Sequence, residues 1–229
     1  VWRTQGDWCD PAINNGWVMT DFLSSALGEF HQNSLLELIA VVLAIAYLLL
    51  AVRQHIACWY AAFISTAIFL YVFWQVNLYM ESGLQVYYLG MAVYGWWAWQ
   101  GGRSKGKPGL TINTWSLRQH LIVIGIVVVA TFVSGTLLSG TEQRLGYLDS
   151  FTTWGAVVAT FMVTRKVLEN WLYWIVIDSA SLYLYFDREL YFTMILFLVY
   201  LVIIFFGFQS WLREYRLEAQ EDANLTIKR

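Results

Sequence analysis

The sequence predicts an all-α integral membrane protein with seven transmembrane helices in a 3+1+3 parallel-repeat arrangement, and three observations carry that prediction. The first is composition: 59% of the 229 residues are hydrophobic and 13% charged, with mean hydropathy +0.52, whereas soluble domains carry about 25% charged residues. The second is a series of apolar runs, each able to cross about 30 Å of hydrocarbon as a helix. The third is an internal repeat. Shifting the chain by 112 residues lays Trp59 on Trp171, Leu70 on Leu182, Tyr71 on Tyr183 and Tyr79 on Tyr191. The same shift lays Tyr88 on Tyr200, Gly95 on Gly207, Trp99 on Trp211, Arg53 on Arg165 and Ala44 on Ala156. Shared apolar composition aligns a few leucines, but not Trp, Tyr, Gly and Arg at one spacing.

In chain order, residues 1–34 read as a periplasmic segment in which Met19–Phe30 forms a short amphipathic helix on the membrane surface. This segment lacks a basic stretch followed by an apolar core and a small-residue cleavage site, so it is not read as a signal peptide. Runs at 35–53, 57–76 and 84–100 make a first three-helix repeat over 35–100. Residues 101–146 supply a cytoplasmic loop, a lone linking helix at 120–138 and an outer loop. Runs at 149–164, 170–186 and 190–211 make the second repeat over 147–212, and 213–229 is a polar cytoplasmic tail. Because one helix joins two triplets, both triplets enter the membrane in the same direction. Gly101–Lys107 spells G-x-x-x-x-G-K, but Pro108 stands where a nucleotide loop needs Ser or Thr, and a spanning helix precedes it in place of a strand. It reads as a flexible basic loop.

Orientation follows from the basic residues. Arg53, Arg103, Lys105, Lys107, Arg118, Arg165, Lys166, Arg213, Arg216, Lys228 and Arg229 fall on one side, and only Arg3, Arg144 and Arg188 on the other. The 11-to-3 split puts the N-terminus outside and the C-terminus in the cytoplasm.

Several function classes are excluded. A net charge of -2 does not recommend nucleic acid. Cys9 and Cys58 fall on opposite sides of the membrane, so neither a disulfide nor a metal site is expected. His31, His55 and His120 are scattered and no nucleophile or metal cluster accompanies them, which disfavours an enzyme and any cofactor. A seven-helix receptor would lack the duplication, and residues 190–211 contain no lysine for a retinal Schiff base. Parallel repeats with a site at their interface are a transporter pattern.

Candidate site residues are those that differ between repeats, since matched residues hold the fold. Asp178 pairs with Thr66, Asn170 with Cys58, Trp174 with Ala62 and Ser181 with Phe69. A carboxylate at the centre of a spanning helix costs about 2.5–3.5 kcal/mol on insertion scales and is seldom kept without a task. Asn170, Trp174, Asp178 and Ser181 fall at i, i+4, i+8 and i+11, one stripe of a helix, with Asp178 about 12 Å along the axis from Asn170. Gln85, Tyr88 and Gly95 form a comparable stripe on the third helix, where Gly95, like Gly207, is read as a packing position. Trp59, Trp96, Trp97, Trp99, Trp171 and Trp211 lie at the cytoplasmic helix ends, where an interfacial anchoring belt is expected.

The stretches "WQVNLYMESGLQVYYLGMAVYGWWAW" from 74 and "NWLYWIVIDSASLYLYFDRELYFTMILFLVYLVIIFFGFQSW" from 170 resemble the PnuC family of bacterial nicotinamide riboside transporters. The resemblance covers about residues 35–211 and implies a SWEET-related fold, a homotrimer, and facilitated diffusion across the bacterial inner membrane, made one-way by phosphorylation inside. It implies pocket residues Asn170, Trp171, Trp174 and Asp178 on the sixth helix and Gln85, Tyr87 and Tyr88 on the third. The expected partners are then the small-molecule substrate, membrane lipid and further copies of the chain. A carrier of a related vitamin such as thiamine or riboflavin is the alternative.

The charge asymmetry yields a direct expectation. A reporter fused after Arg213 should be active in the cytoplasm, and activity confined to the outside would overturn both the orientation and the parallel-repeat reading.

Overall fold

The computed structural model describes residues 35–75, 79–100, 110–138, 145–187 and 190–227. Among these, the structure is helical: α1 (Leu35–Val52), α2 (Cys58–Gln75), α3 (Tyr79–Gln100), α4 (Leu117–Leu138), α5 (Gly146–Thr164), α6 (Asn170–Asp187) and α7 (Tyr191–Ile227). The one β-type pairing among the described residues is an isolated bridge between Asn113 and Val167. The expected surface helix at 19–30 and the glycine-rich basic loop lie outside the described residues.

Two helix limits differ from the apolar runs. α3 begins at Tyr79 rather than 84, because Glu81, Ser82 and Gly83 interrupt hydrophobicity without interrupting a helix. α7 continues to Ile227 rather than ending at 211, because the residues after Trp211 include good helix formers (Leu, Arg, Glu, Ala, Gln) and neither Gly nor Pro. The polar tail is therefore mostly a helical extension of the last span.

By length and composition α1, α2, α4 and α7 are apolar enough to cross a membrane. The other three helices, α3, α5 and α6, have 22, 19 and 18 residues, about 27–33 Å at 1.5 Å per residue. Their lower hydropathy reflects polar groups turned inward: Ser82 on α3, Ser150, Thr160 and Thr164 on α5, and Asn170, Asp178 and Ser181 on α6 are all buried. In hydrocarbon such groups belong on the bundle interior, so the less apolar helices are those that build its centre.

Within each half neighbouring helices pack in sequence, α1 on α2 on α3 and α5 on α6 on α7, while α4 docks on α5. Two further contacts join the halves, α1 with α7 and α3 with α5. Under the 112-residue shift these two pairs exchange, as an approximate two-fold relation requires. The outer surface of α4 stays open, with Leu121, Ile126, Val129 and Phe132 all more than half exposed, an apolar face suited to lipid or another chain.

The repeat extends to side-chain detail. A Cβ at Gly95 would overlap the Trp59 ring, and one at Gly207 would stand 2.7 Å from Trp171. Trp59 meets Trp99 edge-on with centroids 5.2 Å apart, and Trp171 meets Trp211 edge-on at 5.4 Å. Trp99 and Trp211, themselves repeat mates, approach to 6.4 Å. The Trp211 indole N–H also donates to the Ala51 carbonyl across the α1–α7 seam at 3.1 Å. This cluster corrects the expected anchoring belt: Trp59, Trp99, Trp171 and Trp211 are core residues, each at most 6% exposed. The glycine slots let large rings pack between helices instead of at the lipid interface. Trp97, at 64% exposed, keeps a position open to the membrane.

The turns after α1 and α5 also match. Gln54 N–H bonds the Ala51 carbonyl and His55 N–H the Leu50 carbonyl; Lys166 and Val167 repeat both bonds to Val163 and Met162. This is the Schellman way of closing a helix, with the left-handed residue at Gln54 and at Lys166.

Filling one slot should be costly. Gly207→Ala is expected to cost about 1–3 kcal/mol through overpacking, seen as a lower thermal midpoint in detergent. Gly90→Ala, whose Cβ meets nothing within 4 Å, should hold or raise the midpoint because Ala is the better helix former. Equal midpoints would contradict the slot.

Candidate functional site

The stripe on α6 turns inward. Asn170 is 0%, Asp178 3% and Ser181 6% exposed, and Trp174 is half-buried between the tryptophan cluster and a second cluster of Ala156, Ala159 and Ile177. Asp178 occupies the middle of this face. Among the described residues no hydrogen bond or ion pair reaches its carboxylate. A buried polar group without a hydrogen-bond partner is expensive in either protonation state, so this position holds its acid at a cost to stability.

Two tyrosines, one on the third helix and one on the seventh, feel the acid. Tyr88 of α3 and Tyr200 of α7 both lie within electrostatic reach of Asp178, and Tyr185 of α6 lies within reach of both phenols. Tyr88 also packs on the Ala156–Ala159–Ile177 cluster with Trp174. Tyr88 and Tyr200 are repeat mates, so the two halves present the same aromatic group to one acid that only the second half possesses. Around them the small and large positions are exchanged. The second half has Ala159 and Trp174 where the first has Tyr47 and Ala62, so the centre is unlike on its two sides.

The other expected residues are placed as follows. Tyr87 donates from its hydroxyl to the Val157 carbonyl at 2.8 Å and so ties α3 to α5. Gln85 is half-buried on α3, about one turn from Tyr88. Asn170 opens α6, where its Nδ2 donates to the Val167 carbonyl at 2.6 Å and its buried Oδ1 has no partner among the described residues. Trp171 is 1% exposed and fills the slot at Gly207. The structure therefore gathers Trp174, Asp178 and Tyr88 at the centre and sets Asn170 and Trp171 toward the tryptophan end.

Tyr200 and Tyr185 were not anticipated from sequence. The signal for Tyr200 was its alignment with Tyr88, but matched positions had been read as holding the fold. A pair related by an approximate two-fold can meet at the axis, and there a matched residue joins the centre. A second unanticipated group links α4 to α6: His120 Nδ1 and the Tyr173 hydroxyl are 2.9 Å apart with stacked rings, and His120 Nε2 lies 3.9 Å from Glu169 Oε1. Glu169 also accepts from the Trp115 backbone N–H at 3.3 Å.

Among the described residues no three His, Cys, Asp or Glu side chains converge as metal ligands. Two surface grooves, one along α7 at Arg213 and Arg216 and one between α1 and α2, include no residue of the Asp178 cluster. The centre offers an acid, aromatic faces, hydroxyls and amides, which suits reversible binding of a polar solute inside a helical bundle.

A polytopic helical bundle with buried polar groups at its centre suits a membrane transport protein. Residues 34–213 match the family model described as nicotinamide mononucleotide transporter, and the chain belongs to that family. It is a multi-pass membrane transporter and not an enzyme. It is 24% identical over 211 residues to the nicotinamide riboside transporter PnuC of Escherichia coli strain K12, covering 81% of this chain and 88% of the relative. It is 25% identical over 184 residues to the riboflavin/roseoflavin transporter RibM of Streptomyces davaonensis, covering 76% and 83%. The crystal structure of the vitamin B3 transporter PnuC shares its fold, with TM-score 0.66, 21% identity and coverage of 93% of this chain and 94% of that one.

Proposed function

We propose that the chain carries nicotinamide riboside by facilitated diffusion, binding it between two parallel three-helix repeats, α1–α3 and α5–α7, joined by α4. In this reading it is a homotrimer embedded in the lipid of a bacterial inner membrane, with the N-terminus periplasmic and the C-terminus cytoplasmic. The observation that carries the cargo is the buried Asp178, without a hydrogen-bond or ion-pair partner among the described residues and within electrostatic reach of Tyr88 and Tyr200. Nicotinamide riboside combines a flat pyridinium cation, a carboxamide and ribose hydroxyls. The acid offsets its charge, and Trp174, Tyr88 and Tyr200 offer faces on which a desolvated cation gains about 2 kcal/mol. Ser181, Gln85 and Asn170 supply groups for the amide and sugar. The names of relatives such as the Escherichia coli protein agree with this choice. Riboflavin, the cargo in the name of the Streptomyces davaonensis relative, is neutral and would leave the acid uncompensated.

The role of the acid is tested against its repeat mate. Asp178→Ala should weaken nicotinamide riboside binding by roughly tenfold or more, the factor that 1.4 kcal/mol represents, while Thr66→Ala should change it little. Calorimetric titration of folded protein decides this, and equal affinities for the wild type and Asp178→Ala would assign the acid to the fold.

Transport should need no coupling ion. Ion-coupled carriers use acids, histidines or unwound carbonyls as ion sites along the path, whereas here the central acid is available to the substrate's own charge. In liposomes, labelled nicotinamide riboside should equilibrate without a proton or sodium gradient. Uphill accumulation driven by either gradient at zero membrane potential would refute uniport, and flux of riboflavin without flux of nicotinamide riboside would refute the cargo.

A further inference from the structure

The turns after α1 and α5 place one residue each in the left-handed region, Gln54 with φ 51° and Lys166 with φ 52°. Glycine is the usual occupant of this position because an L side chain there is strained. Both turns nevertheless keep long polar side chains, and these two repeat mates meet. Lys166 Nζ donates to Gln54 Oε1 at 2.8 Å, and Gln54 Nε2 donates to Glu214 Oε2 on the extension of α7 at 2.6 Å. The ammonium also stands 4.8 Å from the Trp99 ring centroid.

The chain of contacts runs from the second half to the first and on to α7, over the buried tryptophans. The Lys166 turn is itself held in place. Asn113 N–H donates to the Lys166 carbonyl at 3.0 Å, Leu168 N–H to the Asn113 carbonyl at 2.8 Å, and Asn113 Nδ2 to the Arg165 carbonyl at 2.7 Å. The turn after α1 shows no matching clamp among the described residues. One jaw is thus fixed by the segment before α4, and the other is the bare end of α1.

We propose that Gln54, Lys166 and Glu214 form a latch that holds the two halves together at the basic end of the bundle, and that its release uncovers the tryptophan cluster lying before the central acid. The left-handed residues close both helices, and at two related turns where glycine would do so without strain, long side chains are kept and bond each other. The bonds are polar and lie at or near the surface, so water can replace them when the halves separate, while beneath them the halves also meet at the Trp99–Trp211 contact and the Trp211–Ala51 bond, which part in the same opening. The latch rests on the transport reading, in which the halves move relative to each other.

Cys58 provides a reporter. It is a free thiol, 0% exposed, within the tryptophan cluster beneath the latch. In a Cys9→Ser background it is the remaining cysteine of the chain, and its alkylation by a maleimide, read by mass spectrometry, measures opening. Gln54→Gly and Lys166→Gly remove the side chains while suiting the left-handed backbone. Both should speed alkylation about fivefold or more, as loss of a small increment of closing free energy does, with thermal midpoints equal to or above the parent. Lys166→Arg should retain slow alkylation. Unchanged alkylation in either glycine variant overturns the latch, and so does faster alkylation accompanied by a lower midpoint, which would reflect a loosened fold. Alkylation needs no substrate, so a failed riboside flux assay beside faster labelling would refute the cargo and leave the latch standing.

Discussion

Close helix contact at Gly95 and Gly207 is the constraint on which the bundle depends. Each glycine admits a tryptophan ring from a neighbouring helix, Trp59 and Trp171, and each ring meets a second tryptophan edge-on. In lipid, apolar surface alone does not drive helices together, because the solvent is equally apolar, so shape complementarity and hydrogen bonds must do so. The two aromatic units touch through Trp99 and Trp211, and the Trp211 N–H bonds the Ala51 carbonyl of the opposite half. A single packing motif, used twice, therefore builds each triplet and sets where the triplets join.

That arrangement explains how an acid is held in the middle of the bundle. Once the halves are joined at one end, α6 carries Asp178 inward, and the two related tyrosines, Tyr88 and Tyr200, both lie within electrostatic reach of it. The halves are alike in backbone and unlike in side-chain size and charge there: Trp174 and Asp178 replace Ala62 and Thr66, while Ala159 replaces Tyr47. In the proposed function such a centre suits an asymmetric solute, since a strictly two-fold site would present each end of the molecule with the same groups. In the proposed function, a bound cation would offset the cost of burying an acid that has no partner among the described residues.

The repeat was legible in sequence because aligned Trp, Tyr, Gly and Arg are rare enough to stand out from apolar background, and the inward stripe of α6 was legible from helical spacing. Four of the six expected belt tryptophans, Trp59, Trp99, Trp171 and Trp211, are core residues for a physical reason. Hydropathy and position at a helix end are the same for a ring that faces lipid and one that enters a glycine slot, and only the neighbouring helix distinguishes them. The end of α7 was missed because apolar runs report the thickness of the bilayer and say nothing of where helix formers continue beyond it.

Local chemistry alone determined that the chain is a helical membrane protein of two related halves, that its polarity is concentrated on one face of one helix, and that Asp178 stands at the middle of that face. Composition and period act within a segment, and the relation between the halves follows from comparing two segments at a fixed offset. Tertiary structure decided which residues come together at the centre and at the end: Tyr200 within electrostatic reach of Asp178, Trp171 in the slot at Gly207, and Lys166 reaching Gln54. Each of those contacts joins residues that are distant in the chain, and their partners are chosen by how helices cross and by the approximate two-fold relation between the halves, neither of which is written in any one segment.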